Sequence, residues 1–214
     1  MNIFNDSNCE TNGEVFFLNT IKKDLNVVFD VGSRDDSIFL DLNCDVHYFE
    51  PNPNFILNLK NKKNNNHNSF YNEFGLSNIK DEIEYYVNYQ SFLNRNKTIN
   101  NGSDKIKLIV NRADNYILNN NITNIDFIKI DTEGFELKVL KGFGELLRIV
   151  KIIQFEYGGT YIDAGITLKE VIDFLKDNKF NNFSYITNNG TIPIEDTNDH
   201  YQYCNIVCFN SQYF

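Results

Sequence analysis

Three observations predict a doubly wound α/β fold with a mostly parallel sheet for this 214-residue chain. Short apolar runs alternate with amphipathic helical stretches along most of its length. Several of those runs finish on an acid or a glycine, as in Val27-Val28-Phe29-Asp30-Val31-Gly32, Val46-His47-Tyr48-Phe49-Glu50 and Ile125-Asp126-Phe127-Ile128-Lys129-Ile130-Asp131. The length, with 42% hydrophobic residues, suffices to bury a sizeable core, and nothing along the chain marks a second one.

Periodicity places a helix near 14–24, within an N-terminal extension of residues 1–25, then strand 26–31, helix 35–43, strand 45–50, helix 53–62 and a strand near 68–74. Residues 82–87 and 105–110 alternate polar and apolar side chains, which predicts two half-exposed strands in an antiparallel insertion spanning 80–110, with a polar loop at 88–104. The alternating plan then resumes: helix 112–120, strand 125–131, helix 134–147, strand 150–157, helix 167–178, and strands 183–187 and 203–209. Asparagine clusters, among them Asn64-Asn65-Asn66 and Asn119-Asn120-Asn121, fall between these segments and mark loops and helix ends. The whole reads as one domain, 1–214, without internal repeats.

Twenty Lys and Arg against 29 Asp and Glu give a net charge of −9, which repels phosphate backbones and anionic membranes. Nucleic acid is therefore a poor partner, and Lys60 to Lys63, the one tight basic cluster, reads as a solvated helix end. Cys9, Cys44, Cys204 and Cys208 show no zinc-ligand spacing, and a strand would hold Cys204 and Cys208 about 13 Å apart, beyond disulfide reach. Reduced thiols are expected. With no signal-peptide pattern and no apolar run of membrane-span length, the expectation is a soluble, intracellular, cytoplasmic protein, with oligomerisation open.

In a doubly wound sheet, ligands sit beyond the carboxyl ends of the parallel strands. Asp30, Glu50, Asp131 and Glu156 each close a predicted strand, so they share one crevice. Gly32 allows a tight turn after the first strand, although neither a P-loop nor a full Gly-x-Gly-x-x-Gly pattern is present. Glu50 is placed to accept both hydrogen bonds of a ribose diol, or to act as a loop or capping acid before Pro51.

The residues Phe29-Asp30-Val31-Gly32, Tyr48-Phe49-Glu50-Pro51-Asn52-Pro53, Gly75-Leu76-Ser77-Asn78 and Ile128-Lys129-Ile130-Asp131-Thr132-Glu133-Gly134-Phe135-Glu136, with Val139-Leu140-Lys141-Gly142, closely resemble the FkbM family of S-adenosylmethionine-dependent methyltransferases. The resemblance runs from about Val27 to Glu156 and implies a Rossmann-like methyltransferase sheet with an antiparallel last strand. It also implies S-adenosylmethionine as cofactor. Asp30, Gly32 and Ser33 would line its methionine portion, Glu50, with Pro51 and Asn52, its ribose, and Gly75, Leu76 and Ser77 its adenine, with Asp131 bordering the site. The first loop departs from the family pattern, for Ser33-Arg34-Asp35-Asp36 replaces a small residue, Asn and a second Gly. Arg34 is expected to pair with Asp35 or Asp36 on the surface, the alternative being the cofactor carboxylate.

Methyl transfer to oxygen needs in-line alignment and a base. Strand alternation puts Lys129 and Asp131 on one face, where Lys129 is either an ion-pair partner of Asp131 or Glu133, or a base of lowered pKa or a substrate contact. Asp131, Glu133 and Glu156 could converge to hold Mg²⁺ or Mn²⁺; without a metal, Asp131 or Glu133 would be the base. Glu133 also reads as a helix N-terminal acid, and Glu136 as a solvated or capping side chain. Tyr157-Gly158-Gly159-Thr160-Tyr161 suits a flexible substrate lid. His200, in the last long connection, is a catalytic candidate or an ordinary loop residue, while His47 reads as core and His67 as surface.

These residues point to an O-methyltransferase acting on a hydroxyl of a sugar or glycoconjugate, the substrate class resting on the resemblance. A 2′-O-methyltransferase of RNA is the rival enzyme, although no Lys-Asp-Lys-Glu tetrad is evident. A non-catalytic S-adenosylmethionine-binding module of a glycan-assembly complex is the third class.

Overall fold

The computed structural model describes residues 4–94 and 104–214. In chain order its elements are α1 (Glu14–Ile21), β1 (Val27–Val31), β2 (Asp45–Phe49), α2 (Pro53–Lys60), β3 (Asn68–Asn72), β4 (Gly75–Leu76), β5 (Asp81–Tyr86), β6 (Lys105–Asn111), α3 (Ala113–Asn119), β7 (Ile125–Ile130), α4 (Glu136–Gly142), β8 (Val150–Tyr157), α5 (Thr160–Ala164), α6 (Leu168–Asp177), β9 (Phe180–Thr187), β10 (Gly190–Pro193) and β11 (Cys204–Asn210). Eight strands form the main sheet in the order β3-β2-β1-β7-β8-β11-β9-β10. The run from β3 to β8 is parallel; β11 lies antiparallel between β8 and β9, and β10 antiparallel on β9. Strand order reverses between β1 and β7, so the carboxyl ends of these two strands define the crevice.

Alternation along the central strands feeds two apolar layers. Phe29, Ile128 and Ile153 pack with Val139 and Leu140 of α4 and Leu175 of α6 on one face. Val28, Phe127 and Val46 pack with Leu18 of α1, Phe39 and Ile56 on the other. Lys129 and Asp131 project on this second side by the same alternation. α6 starts from a capping box, in which the Thr167 hydroxyl accepts the Glu170 N–H and the Glu170 carboxylate accepts the Thr167 N–H.

Several expected elements take another form. Residues 35–43 make turns rather than a helix. There the Asp36 carboxylate accepts the Ser37 N–H, and the Ser37 hydroxyl accepts the Phe39 N–H, local bonds that compete with the helical ladder. The helix expected at 134–147 begins only at Glu136, because Glu133 and Gly134 both have positive φ, and it gives way to 3₁₀ turns from Gly144. The insertion is a separate three-stranded sheet, β4-β6-β5, with β5 and β6 antiparallel as expected and β4 added in parallel. Much of the loop expected at 88–104 lies outside the described residues. The segment expected as a flexible lid is packed instead, with Tyr157 and Tyr161 buried and α5 starting at Thr160. No helix among the described residues is long and apolar enough to cross a membrane.

Candidate active site

The ends of β1, β2 and β7 are joined through main chain. Gly32 N–H donates to Phe49 O at 2.9 Å, and Asp131 N–H donates to Val31 O at 2.9 Å. Gly32 has φ +84°, and a Cβ there would stand 1.9 Å from the Asp131 carbonyl oxygen, so only glycine fits. Glu50 follows β2 directly and is 3% exposed. One carboxylate oxygen accepts the Arg34 N–H at 3.0 Å and the other accepts the Asn52 N–H at 2.8 Å. Burial pushes its pKa up to about 7 in spite of these two donors and the nearby Arg34 guanidinium.

Glu50 faces a cleft of about 570 Å³, counted out to its mouth. Pro51, Gly75, Leu76, Tyr85, Phe92 and Phe135 wall it, and Gly32 and Asp131 reach its inner end. Glu50 and Asp131 therefore share one crevice. β5 and the segment between it and β6 supply Tyr85 and Phe92, whose rings meet edge to face at 5.3 Å. A second cavity of about 1350 Å³, counted the same way, meets the cleft at Gly32, Arg34 and Asp131 and is lined by Asp30, Ser33, Lys129, Tyr203 and the segment leading into α1.

Carboxylate oxygens of Asp131, Glu133 and Glu156 lie within 4.8 Å of one another. Lys129 Nζ donates to Asp131 at 2.8 Å and stands 3.6 Å from Glu14. Burial opposes the Lys129 charge, but Asp131, Glu14 and Asp30 outweigh it and hold the ammonium well above its ordinary pKa. Of the two readings of Lys129, the geometry favours the ion-pair partner, with the ammonium held by Asp131 and Glu14. Burial raises Asp131 too, yet Lys129 and a hydrogen bond from Glu156 bring it down to about 2. Glu156 is held well above the usual range by burial, by the Asp131 charge and by that shared hydrogen bond, so it carries the proton of the pair.

The remaining sequence candidates divide. Asp30 is buried, accepts the Ser37 hydroxyl at 2.6 Å and is pushed by burial up to about 6. The Ser33 hydroxyl is buried without a hydrogen-bond partner among the described residues. Both line the second cavity, whereas Glu50, Pro51, Gly75 and Leu76 line the cleft. Asn52 and Ser77 line neither. Asn52 Oδ1 caps α2 by accepting the Asn54 N–H at 3.0 Å, and Ser77 packs where a Cβ on Gly142 would stand 2.2 Å from its carbonyl oxygen. His200 is also removed from both spaces, its Nε2 being 3.2 Å from the Tyr185 hydroxyl and its ring lying against Phe4 and Tyr157. Arg34 does not pair with Asp35 or Asp36; its guanidinium lies 5.7 Å from the Phe55 ring, while Asp36 pairs with Lys62 at 3.0 Å. Glu136 caps as expected, accepting from Thr132 N–H, Thr132 Oγ1–H and Gly134 N–H, but is buried rather than solvated. His47 and His67 are core and surface as read, and all four cysteines are free, with Cys9 only partly covered.

Sequence reasoning missed Glu14, which is 4% exposed and accepts from Gln154 Nε2 at 2.7 Å. An acid at a helix start carries the ordinary signature of a first-turn residue, and nothing local shows its partner 140 positions away. Phe92 and Phe135 were missed for the same reason: single aromatics beside turns signal a binding wall only once two distant segments meet.

The family model described as "Methyltransferase FkbM domain" matches residues 30–182. The hexuronic acid methyltransferase AglP of Haloferax volcanii is 27% identical over 157 residues, covering 72% of this chain; the chain spans 63% of that relative's length. Among solved structures, the plantazolicin methyltransferase BpumL in complex with SAH aligns at TM-score 0.48 and 11% identity, over 92% of this chain and 80% of that one. The precorrin-8w decarboxylase of Methanobacterium thermoautotrophicum aligns at TM-score 0.42 and 17% identity, over 97% and 96%. With strand-end acids, glycine turn and cleft falling inside the matched residues, this chain belongs to the FkbM family of methyltransferase domains.

Proposed function

We propose that this chain is an S-adenosylmethionine-dependent O-methyltransferase acting on a hydroxyl of a sugar or glycoconjugate. The observation that carries the cofactor half is the Glu50 carboxylate. It offers about four acceptor positions, two taken by backbone N–H groups, leaving two for the hydroxyls of a ribose diol. The aromatic walls of Tyr85, Phe92 and Phe135 suit an adenine ring, and the orphaned Ser33 hydroxyl suits the amino-acid end. The donor set thus fits the cofactor. Family membership and the hexuronic acid on which the Haloferax relative is named to act support the acceptor class.

When bound, the cofactor supplies an electrophilic methyl group. Asp131 and Gly32 border the place where cleft and second cavity meet. Asp131, held strongly acidic, is a weak base, and Glu156 already carries a proton; Glu133, facing the cleft, is the carboxylate that would take the hydroxyl proton. Its left-handed backbone, φ +56°, is a strained conformation that the adjoining Gly134 and the Ser91 hydroxyl, donating to Glu133 O, help to hold. Asp131, Glu133 and Glu156 are also the residues that would hold Mg²⁺ or Mn²⁺, since their oxygens are close enough to share one hard cation. The Lys129 ammonium already supplies positive charge at Asp131, and our reading has transfer proceed on these side chains alone. The test is calorimetry with S-adenosylhomocysteine, followed by transfer from labelled S-adenosylmethionine to a panel of glycosides. Absence of nucleoside binding would remove the cofactor assignment, and binding without transfer to any glycoside would remove the acceptor class.

A further inference from the structure

We infer that Ser91 is a positioning residue that fixes the peptide between Glu133 and Gly134 and so aims the Glu133 carboxylate from the wall of the cofactor cleft. The inference rests on the methyltransferase reading, in which Glu133 takes the hydroxyl proton, and adds the group that holds it in place. Glu133 and Gly134 have φ of +56° and +100°, two left-handed residues in succession, of which the first carries a side chain that disfavours the conformation. The direction in which that side chain leaves the backbone depends on this turn, so whatever holds the turn sets the base.

The peptide is held at both of its polar groups. Its carbonyl, Glu133 O, accepts the Ser91 hydroxyl at 3.2 Å, and its amide, Gly134 N–H, donates to Glu136 Oε1 at 3.2 Å. Rotation of this one peptide plane breaks both bonds together. Ser91 and Glu136 are 2% and 1% exposed, so water does not readily replace either partner. The Ser91 hydroxyl oxygen accepts the Leu93 N–H at 3.0 Å, which leaves its single proton to Glu133 O. A Cβ on Gly134 would stand 2.4 Å from Leu93 Cδ1, and the Phe92 and Phe135 rings lie 5.2 Å apart, so residues 91–93 sit directly over 133–135. The other side of this segment belongs to the cleft. Gln90, Ser91 and Phe92 line it together with Tyr85, and Ser91 O accepts the Tyr86 N–H at 2.8 Å at the end of β5. A nucleoside packed on that wall therefore bears on the base through Ser91.

The experiment compares the wild type, Ser91→Ala, Glu133→Ala and the double variant, each checked for folding by circular dichroism. With labelled S-adenosylmethionine and the same glycosides, Ser91→Ala should lower kcat about tenfold or more, while KM and the Kd for S-adenosylhomocysteine stay within about threefold. In the Glu133→Ala background the same change should lower kcat by less than about twofold further, since Ser91 acts through Glu133. Hydrogen exchange of the Gly134 amide, followed by NMR, should slow about tenfold or more when S-adenosylhomocysteine binds the wild type, and much less in Ser91→Ala. Unaltered kcat in folded Ser91→Ala, independent losses in the double variant, or Gly134 exchange that ignores either the nucleoside or Ser91 each overturns the inference. Where no glycoside is methylated, the acceptor class falls and the exchange measurement decides. Full activity in Glu133→Ala, or failure of S-adenosylhomocysteine to bind the wild type, instead removes the reading beneath it.

Discussion

Replacing Glu50 with glutamine keeps the size of the side chain and removes its charge. In the protein the two carboxylate oxygens accept from Arg34 N–H and Asn52 N–H, and the proposed complex adds two ribose hydroxyl donors. Hydrogen bonds to a charged group are worth about 1.5–3 kcal/mol each, so the diol would gain about 3–6 kcal/mol before the desolvation of a buried carboxylate is subtracted. Glutamine retains one acceptor oxygen and turns an NH₂ toward the diol or toward a backbone N–H. A net loss of about 3 kcal/mol follows, on the order of 100-fold in Kd for S-adenosylhomocysteine. The ionised form of Glu50 makes these bonds, and its pKa is pushed up to about 7, so affinity should weaken as pH falls through that value. In Glu50→Gln the dependence should flatten. Calorimetry above and below pH 7 reads both effects, with circular dichroism confirming that the variant is folded. Equal affinities within threefold at the higher pH, or an unchanged pH profile in the variant, would refute the ribose assignment.

Further outcomes follow from the same geometry. Gly32→Ala places a methyl 1.9 Å from the Asp131 carbonyl oxygen at positive φ, so denaturant titration should show a loss above about 3 kcal/mol. His200→Ala removes a hydrogen bond and ring packing outside both cavities; stability should fall by about 1–2 kcal/mol while kcat/KM stays within twofold. Burial raises Asp30 from 3.8 to about 6, and Glu50 and Glu136 from 4.5 to about 7. Between the unfolded and folded values the native state binds more protons, so the ligand-free protein should gain stability from pH 8 down to about 5, up to about 3 kcal/mol from Glu50 alone. Below that, protonation of carboxylates held low, such as Asp131, reverses the trend; a melting temperature that falls steadily from pH 8 to 5 would contradict these shifts. Methyl transfer should withstand chelation by EDTA, since Lys129 supplies the cation at Asp131; a tenfold loss restored by Mn²⁺ would instead give Asp131, Glu133 and Glu156 the metal role.

The parallel core was legible because β1, β2, β7 and β8 are buried on both faces and read as near-continuous apolar runs ending in acids. The turns at 35–43 were not, because Phe39 and Leu42 are buried at a spacing that a helix would also give, while short side chains at Asp36 and Ser37 settle the backbone otherwise. Glu50 was found from its place after a strand end, and Pro51, Gly75 and Leu76 through the family resemblance; Asn52 and Ser77, adjacent to them in sequence, turn toward a helix cap and α4. His200 drew attention for its chemistry, and only packing reveals Phe4, Tyr157 and Tyr185 around it. Lys129 was ambiguous for want of Glu14, whose approach depends on how α1 folds back over the sheet.

The junction of β1, β2 and β7 is built from amide and carbonyl groups, with Gly32 filled in by the backbone of Asp131. A ledge of this kind keeps its shape when neighbouring side chains are exchanged. Glu10, Asn19, Lys22, Asp36 and Asp41, which border the larger space but contribute nothing to that ledge, are accordingly the place for combinatorial libraries aimed at new ligands. Randomising residues 31–33 or 131–132 would instead dismantle the seat on which any such library depends.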